Sequence, residues 1–585
     1  MTLDNFSKIY SSVKWLINSE KVRLVRNHQM MSDELPISPE HESRHVFNFN
    51  FVSFKRLYFS IFPPQKTRRL ELDAKDAVAI LFFTALGVIT RIFRIQYPKN
   101  VVFDELYFGN FTNYYLRGQY FHDIHPPLAK LIMVGMAHMA GYKGEYSFTG
   151  PEYKSMAYVA LRMTPAFFGA LCVPLSYLIM RAMLCSHFAS FTAAILVMSD
   201  LVLIVEARHI LSDGILHFFT CLSIFSIFLY ERNFNIFFFI FEGICLGCVA
   251  SCKYTSGGIV LLALIRQYCL NNNYDFKDDS REDLENDSEN NIFKDVYKGN
   301  FNYDFDDEKK LNKDVKNMNE DEKNYQENRT DNFSERSLRL SRNSFQYSTI
   351  RAFFLCVIVG IIHLICFTVH LTILPYLPEN ESDLIVIPDC VKRGLVDRMN
   401  PNWDARSRAP SMIRRVITLI IYMHASNMQI GNSHPYASKC WTWPLFLSRW
   451  VLFWTNEGKH IICVGNVLLW YPVFFGIVVN LILTLMRKDF RKLRATVLIG
   501  YLLSYLPFFL IPREMFLYHY AIPLIFGIYN LSILIERELK PVYRGFIYSL
   551  VIVMALIGYI LWNPWAYGLT TEDFDFLVWN NNWRG

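Results

Sequence analysis

The apolar runs Ala77 to Ile95, Phe188 to Val205 and Arg351 to Leu374 are longer than a helix buried in a soluble core requires. A bilayer needs about 20 mostly apolar residues per spanning helix, and these runs supply them. Reading the whole chain this way gives apolar segments at 76–95, 157–183, 187–206, 209–231, 235–252, 255–270, 351–376, 460–486, 494–511, 516–536 and 543–562. The expected fold is therefore an all-α, many-pass membrane protein with about eleven transmembrane helices. The run Leu128 to Ala140 is too short to span and carries Lys130 and His138, so it is read as a helix lying in the interface. The first 75 residues hold no apolar core ahead of a small-residue cleavage site, so insertion is expected to begin with the first span.

Orientation follows from lysine and arginine in the short connections. Lys66, Arg68 and Arg69 precede the first span; Arg487, Lys488, Arg491, Lys492 and Arg494 separate the eighth and ninth; Arg537, Lys540 and Arg544 separate the tenth and eleventh. With eleven spans all three clusters fall on one side, which should be cytosolic. The expected organisation is then a cytosolic region 1–75, six spans over 76–270 with a first lumenal loop 96–156, and a cytosolic insertion 271–350. The seventh span, 351–376, follows, then a lumenal segment 377–459, four spans over 460–562 and a lumenal tail 563–585. The insertion is rich in Asn, Asp, Glu and Lys and poor in apolar residues, the composition of a disordered segment.

The net charge of +6 is a small excess of 59 basic over 53 acidic residues, and the basic ones sit beside apolar runs instead of on one soluble face. That excludes a nucleic-acid partner. Most of the twelve cysteines lie in apolar segments and read as packing residues; Cys390 and Cys440 fall in a polar loop where a disulfide is open. Trp441, Trp443, Trp450 and Trp454 read as an interfacial aromatic belt.

This topology gathers ionisable residues at one face. Asp104, Glu105, Arg117, Asp123 and His125 lie in the first lumenal loop, and Arg162 opens the second span. Arg208 and Asp213 flank the turn between the third and fourth spans, Lys253 marks the turn between the fifth and sixth, and His434, Arg513 and His519 fall on the same side. Each ionisable group at membrane depth costs about 2.5–3.5 kcal/mol on insertion scales, so several together point to a polar cavity. The adjacent carboxylates offer a general base, a divalent-metal ligand, or both. Arg162, Arg208, Lys253 and Arg513 offer cations for a phosphate. A base beside a phosphate clamp suits transfer of a group from a lipid phosphate to a hydroxyl.

The stretch "VVFDELYFGNFTNYYLRGQYFHDIHPPLAKL" (101–131) resembles the first lumenal loop of the protein O-mannosyltransferases. The similarity continues through "LRMTPAFFGALCVPLSY" (161–177), "ARHILSDGILHFF" (207–219), "SCKYTSGG" (251–258), "SNMQIGNSHPYASKCWTWP" (426–444) and "REMFLYHYAIPLIFG" (513–527). The resemblance implies the GT-C glycosyltransferase fold, an endoplasmic-reticulum membrane, dolichyl phosphate mannose as donor, Ser/Thr-containing proteins as acceptors and a homologous partner subunit. It implies that Asp104 is the catalytic aspartate with Glu105 beside it, and that Arg162 is the functional arginine of the second span. Asp123 lies within the matching "HDIHPP". Arg117, His125, Arg208, Asp213, Lys253, His434, Arg513 and His519 are expected to line the substrate site. The chain departs from the pattern where 369–395 runs almost directly into "SMIRRVITLIIYMHASN", a space too short for the β-trefoil of MIR repeats common in the family. Two rivals remain at this stage: a transporter, which would place its charges nearer the midplane on broken helices, and a non-catalytic partner subunit.

Overall fold

The structure is a computed structural model. It describes residues 69–149, 152–153, 155–269, 345–379, 386–398, 409–429, 431, 434–487, 493–569 and 575–583. The expected N-terminal region lies almost wholly, and the 271–350 insertion mostly, outside those residues.

The first helix, α1 (Ala74–Ile92), starts on a capping box: Asp73 accepts from the Asp76 amide and Asp76 from the Asp73 amide, both at 2.9 Å. Asp76 also receives Arg181 (2.8 Å) and Tyr177 (2.8 Å) from the last turns of α4 (Ala157–Ala182), so the two helices run antiparallel. Gly87 lets them touch, because a side chain there would meet the Ala170 carbonyl. Between them lie α2 (Glu105–Arg117) and α3 (Leu128–Met139).

The next pass is broken. Helices α5 (His187–Ser199) and α6 (Leu201–Arg208) meet at 55°. Asp200 causes the break: it leaves the helix with extended backbone, caps α6 through the Leu203 amide (3.1 Å) and accepts the Trp470 indole N–H at 2.6 Å. Helices α7 (Asp213–Asn233), α8 (Ile236–Ala250), α9 (Gly257–Cys269) and α10 (Phe345–Ile373) follow. Then come α11 (Met412–Met428), α12 (Val467–Arg487), α13 (Leu493–Tyr505), α14 (Ala521–Glu538) and α15 (Pro541–Tyr567).

Seven described helices are long and apolar enough to cross a membrane, eight if α5–α6 is one bent span. The chain is a many-pass membrane protein, but the count of eleven is not reached by that measure. The segments expected at 76–95, 235–252 and 255–270 are helical yet fall short: α1 carries Lys75, Asp76 and Arg91, and α8 and α9 have only 15 and 13 residues. The segment expected at 460–486 is also corrected. Its first residues form β2 (Lys459–Cys463), paired antiparallel with β1 (Val451–Asn456) around a tight Glu457–Gly458 turn, φ 47° and 75°. The all-α expectation thus gains one β-hairpin.

Two further expectations change. Trp443 and Trp450 are buried (0% and 3% exposed), and Trp450 stacks on Trp583 at 4.2 Å, so they are core and not belt residues. Cys390 and Cys440 are both free.

Candidate active site

Asp104 is the last residue before α2 and Glu105 the first within it, so the two neighbouring carboxylates point into different surroundings. Glu105 has no exposed surface. Its Oε1 accepts from Arg162 Nε (2.7 Å) and the Ile210 amide (3.0 Å). Its Oε2 accepts from Arg162 Nη2 (2.8 Å), the Val102 amide (2.9 Å) and the Tyr153 hydroxyl (3.0 Å). One carboxylate therefore ties together the first loop, α4, the 209–212 turn and the end of the loop. Burial acts to raise its pKa, but the Arg162 charge and paired hydrogen bonds outweigh this and hold it well below the carboxylate range.

Arg162 is equally committed. Besides Glu105, its guanidinium donates to the carbonyls of Pro98 (2.8 Å), Asn100 (3.0 Å) and Ile95 (3.3 Å), with Tyr158 and Tyr153 over its face. It has no donor left for a phosphate.

Asp104 is the opposite case. Its carboxylate makes no hydrogen bond or ion pair with any described residue and keeps a window of accessible surface while protein surrounds it. Burial pushes its pKa up to about 6; Lys253 pulls it down, while Asp213 and Asp123 push the same way as burial. A carboxylate free of donors and titrating near neutrality is suited to accept a proton.

Lys253 and Asp213 form a buried pair, Nζ reaching Oδ1 at 2.7 Å and Oδ2 at 2.9 Å. Asp123 pairs with Lys130, which turns inward from α3, and accepts from the Ile124 amide at 2.7 Å. Lys130 also holds the His125 carbonyl (2.7 Å), fixing the "HDIHPP" turn. Burial and the neighbouring charges of Lys253, Lys130, Arg513 and His519 push His125 well below its usual range, so it is neutral at pH 7.

Of the arginines and the lysine expected here, only Arg513 makes no side-chain hydrogen bond or ion pair with a described residue; its Nε is buried without an acceptor. Arg208 donates to the carbonyls of Arg91 (3.0 Å) and Arg94 (3.3 Å) and lies over the Tyr567 ring, closing the end of α1. Arg117 sits at the far end of α2, about 18 Å along the axis from Glu105, and donates to the Gly144 carbonyl at 2.7 Å. His519 is fixed by its own turn through Phe516 and stacks near Trp443. His434 is exposed; its Nδ1 accepts from the Tyr436 amide (3.2 Å), and its ring lies 5.0 Å from Phe516. The sequence reading did not single out Tyr153, an uncharged residue, or His209, which stands beside Arg208 and approaches Glu105 (3.6 Å).

Glu206, Asp213 and His217 bring ligand atoms within 4.8 Å of one another, the one metal-like grouping near the site among the described residues. The donors are right in kind for a divalent ion. Yet the Lys253 ammonium already sits on both Asp213 oxygens, where a cation would have to go. The residues do not fit a resident metal.

The first part of the chain, 81–272, matches the family described as dolichyl-phosphate-mannose-protein mannosyltransferase, and 412–583 matches the C-terminal four-transmembrane region of protein O-mannosyltransferases. The chain belongs to the protein O-mannosyltransferase family. Among its relatives, dolichyl-phosphate-mannose–protein mannosyltransferase 4 of Schizosaccharomyces pombe is 36% identical over 210 residues, 34% of this chain and 26% of that protein. Protein O-mannosyl-transferase 1 of Danio rerio is 35% identical over 184 residues, 31% of this chain and 25% of that protein. The matched region thus spans about a quarter of the length of these relatives. In structure, the chain resembles the Saccharomyces cerevisiae protein O-mannosyltransferase Pmt1-Pmt2 complex bound to the sugar donor. The TM-score is 0.65 at 17% identity, covering 88% of this chain and 93% of that one. The two share the GT-C fold that the sequence resemblance implied.

Proposed function

We propose that this chain transfers mannose from dolichyl phosphate mannose to Ser/Thr hydroxyls of proteins in the endoplasmic-reticulum lumen, working beside a homologous subunit. The observation that carries this reading is the division of labour in the acidic pair: Glu105 is fully bonded, and Asp104 is unbonded among the described residues, half-buried and raised to about 6. In the proposed reaction the Asp104 carboxylate takes the proton of the acceptor hydroxyl. The hydroxyl oxygen bonds to C1 of mannose as the C1–O bond to phosphate breaks, and dolichyl phosphate leaves with the electron pair. Arg513, uncommitted within the described structure, is the group proposed to meet the negative charge on the leaving phosphate. Neutral His125 and the Lys253–Asp213 pair line the same space without adding net charge.

The test is transfer of labelled mannose from dolichyl phosphate mannose to a Ser/Thr-rich peptide, in membranes that contain the chain and its natural partner. Absence of transfer with every partner overturns the reading and leaves the non-catalytic subunit.

Two further expectations follow from the same groups. A base with a pKa of about 6 must be ionised to work. Turnover should therefore fall about tenfold between pH 7 and pH 5, following the ionised fraction. A flat profile over that range would remove Asp104 as the base. Arg513→Ala should cost about 10²-fold in turnover, the size of losing one charge-stabilising donor, with little change in thermal midpoint because Arg513 holds no hydrogen-bond or ion-pair partner among the described residues. Arg208→Ala should show the reverse, a loss of stability, since its donors close two carbonyls.

A further inference from the structure

Phe103, the residue before Asp104, has φ of 47°, a left-handed conformation that bulky side chains rarely adopt. It stands in a tight turn: the Glu105 amide donates to the Val102 carbonyl at 2.9 Å, with Phe103 and Asp104 as the central residues. Asp104 follows at φ −72° and ψ 2°. A positive φ first and these angles second are the pattern of a type II′ turn, whose first central place ordinarily goes to glycine. Nothing in phenylalanine itself favours that backbone. A ring with no external support would let residue 103 relax, and the peptide that aims Asp104 would turn with it.

The support comes from the hairpin. The β1–β2 register pairs Leu452 with Ile462 and Trp454 with Ile461, so Phe453 is the extra residue of a β-bulge and has no partner across the ladder. Its carbonyl is thereby released, and it accepts the Phe103 amide at 3.1 Å. The two rings lie face to face, centroids 4.3 Å apart and planes within 8°. Phe516 and Tyr518 close the Phe103 ring edge-on at 6.4 and 6.1 Å. From the other side of the turn, Glu105 holds the Val102 amide.

We propose that Phe453 is a positioning residue for the reacting carboxylate: the bulge in the hairpin clamps Phe103, by backbone and by ring, in the left-handed turn that aims Asp104. The inference rests on the reading of Asp104 as the base. It assigns to a hairpin some 350 residues downstream the orientation of the chemical group.

The experiment uses the full chain with its partner, in membranes for kinetics and in detergent for hydrogen exchange. Phe453→Ala keeps the carbonyl but removes the ring. It should lower kcat about tenfold to a hundredfold, the scale of a misplaced reacting group, while KM for dolichyl phosphate mannose stays within about twofold. Phe453→Tyr retains the ring and should restore kcat to within about twofold. In parallel, the amides of peptide 101–108 should exchange about tenfold faster in Phe453→Ala, with peptides of α14 unchanged. Unchanged exchange at 101–108 overturns the clamp, whether or not the protein transfers mannose. An unchanged kcat in Phe453→Ala, or a loss in both variants with faster exchange throughout the chain, overturns it as well. If the wild type transfers no mannose but the local exchange responds, the clamp stands and the reading of Asp104 fails.

Discussion

Asp104→Asn is expected to abolish most mannose transfer, a drop of about 10²–10⁴-fold in turnover, while the protein accumulates normally. Asparagine has the shape of the carboxylate but cannot accept the proton of the acceptor hydroxyl. The same substitution should not destabilise the fold. In the folded chain the Asp104 pKa is raised to about 6, above the roughly 3.9 of an unfolded aspartate. The folded state therefore prefers the protonated form, and the cost of holding the charge grows as pH rises from about 4 through 6 and is fully present at 7. Removing the charge should add about 2–3 kcal/mol at pH 7 and little at pH 4, read as a pH-dependent gain in thermal midpoint over wild type. A stable, inactive Asp104→Asn protein fits a base; an active one ends the assignment.

Arg162→Ala is expected to fail in a different way. The guanidinium holds Glu105 and three backbone carbonyls, all buried. Removing one partner of such a buried pair costs about 3–5 kcal/mol, because the other charge is left unpaired. The variant should lose protein from the membrane before any question of catalysis arises. Arg162→Lys should not rescue it, since a single ammonium cannot serve two carboxylate oxygens and the carbonyls together. Glu105→Gln should lie between, keeping an oxygen acceptor but leaving the Arg162 charge uncompensated. The discriminating result is an Arg162→Ala protein with wild-type thermal midpoint and no transfer, which would return Arg162 to the donor phosphate.

These two predictions separate residues that look alike in the sequence. Asp104 and Glu105 are adjacent, and both carry the same charge. Nothing in the string "VVFDELYF" tells which one is consumed by structure, because that depends on Arg162, Tyr153 and the Ile210 amide, tens of residues away. The cations divide in the same way. Arg162, Arg208 and Arg117 were expected to grip a substrate, but backbone carbonyls of loops and helix ends take their donors. Burial makes an unbonded guanidinium expensive, so the chain supplies an acceptor wherever it can. Arg513 is the one of these left uncommitted among the described residues. The hairpin was also hidden: its β2 strand, "KHIIC", is apolar enough to merge with the following helix when only hydropathy is read.

What the sequence by itself determined is that the chain is a many-pass, mostly helical membrane protein, and the address of the acidic pair. Both depend on local quantities, the length of apolar runs and the residue order of one loop, which survive without knowledge of contacts. Only the tertiary structure decided the roles within the pair and around it. Whether a carboxylate is spent or available depends on which donors reach it, and those donors come from α4, the 209–212 turn and the end of the first loop, with a distant hairpin fixing the turn that carries Asp104. Hydrogen bonds act over about 3 Å, and no pattern along a chain records which residues will come that close.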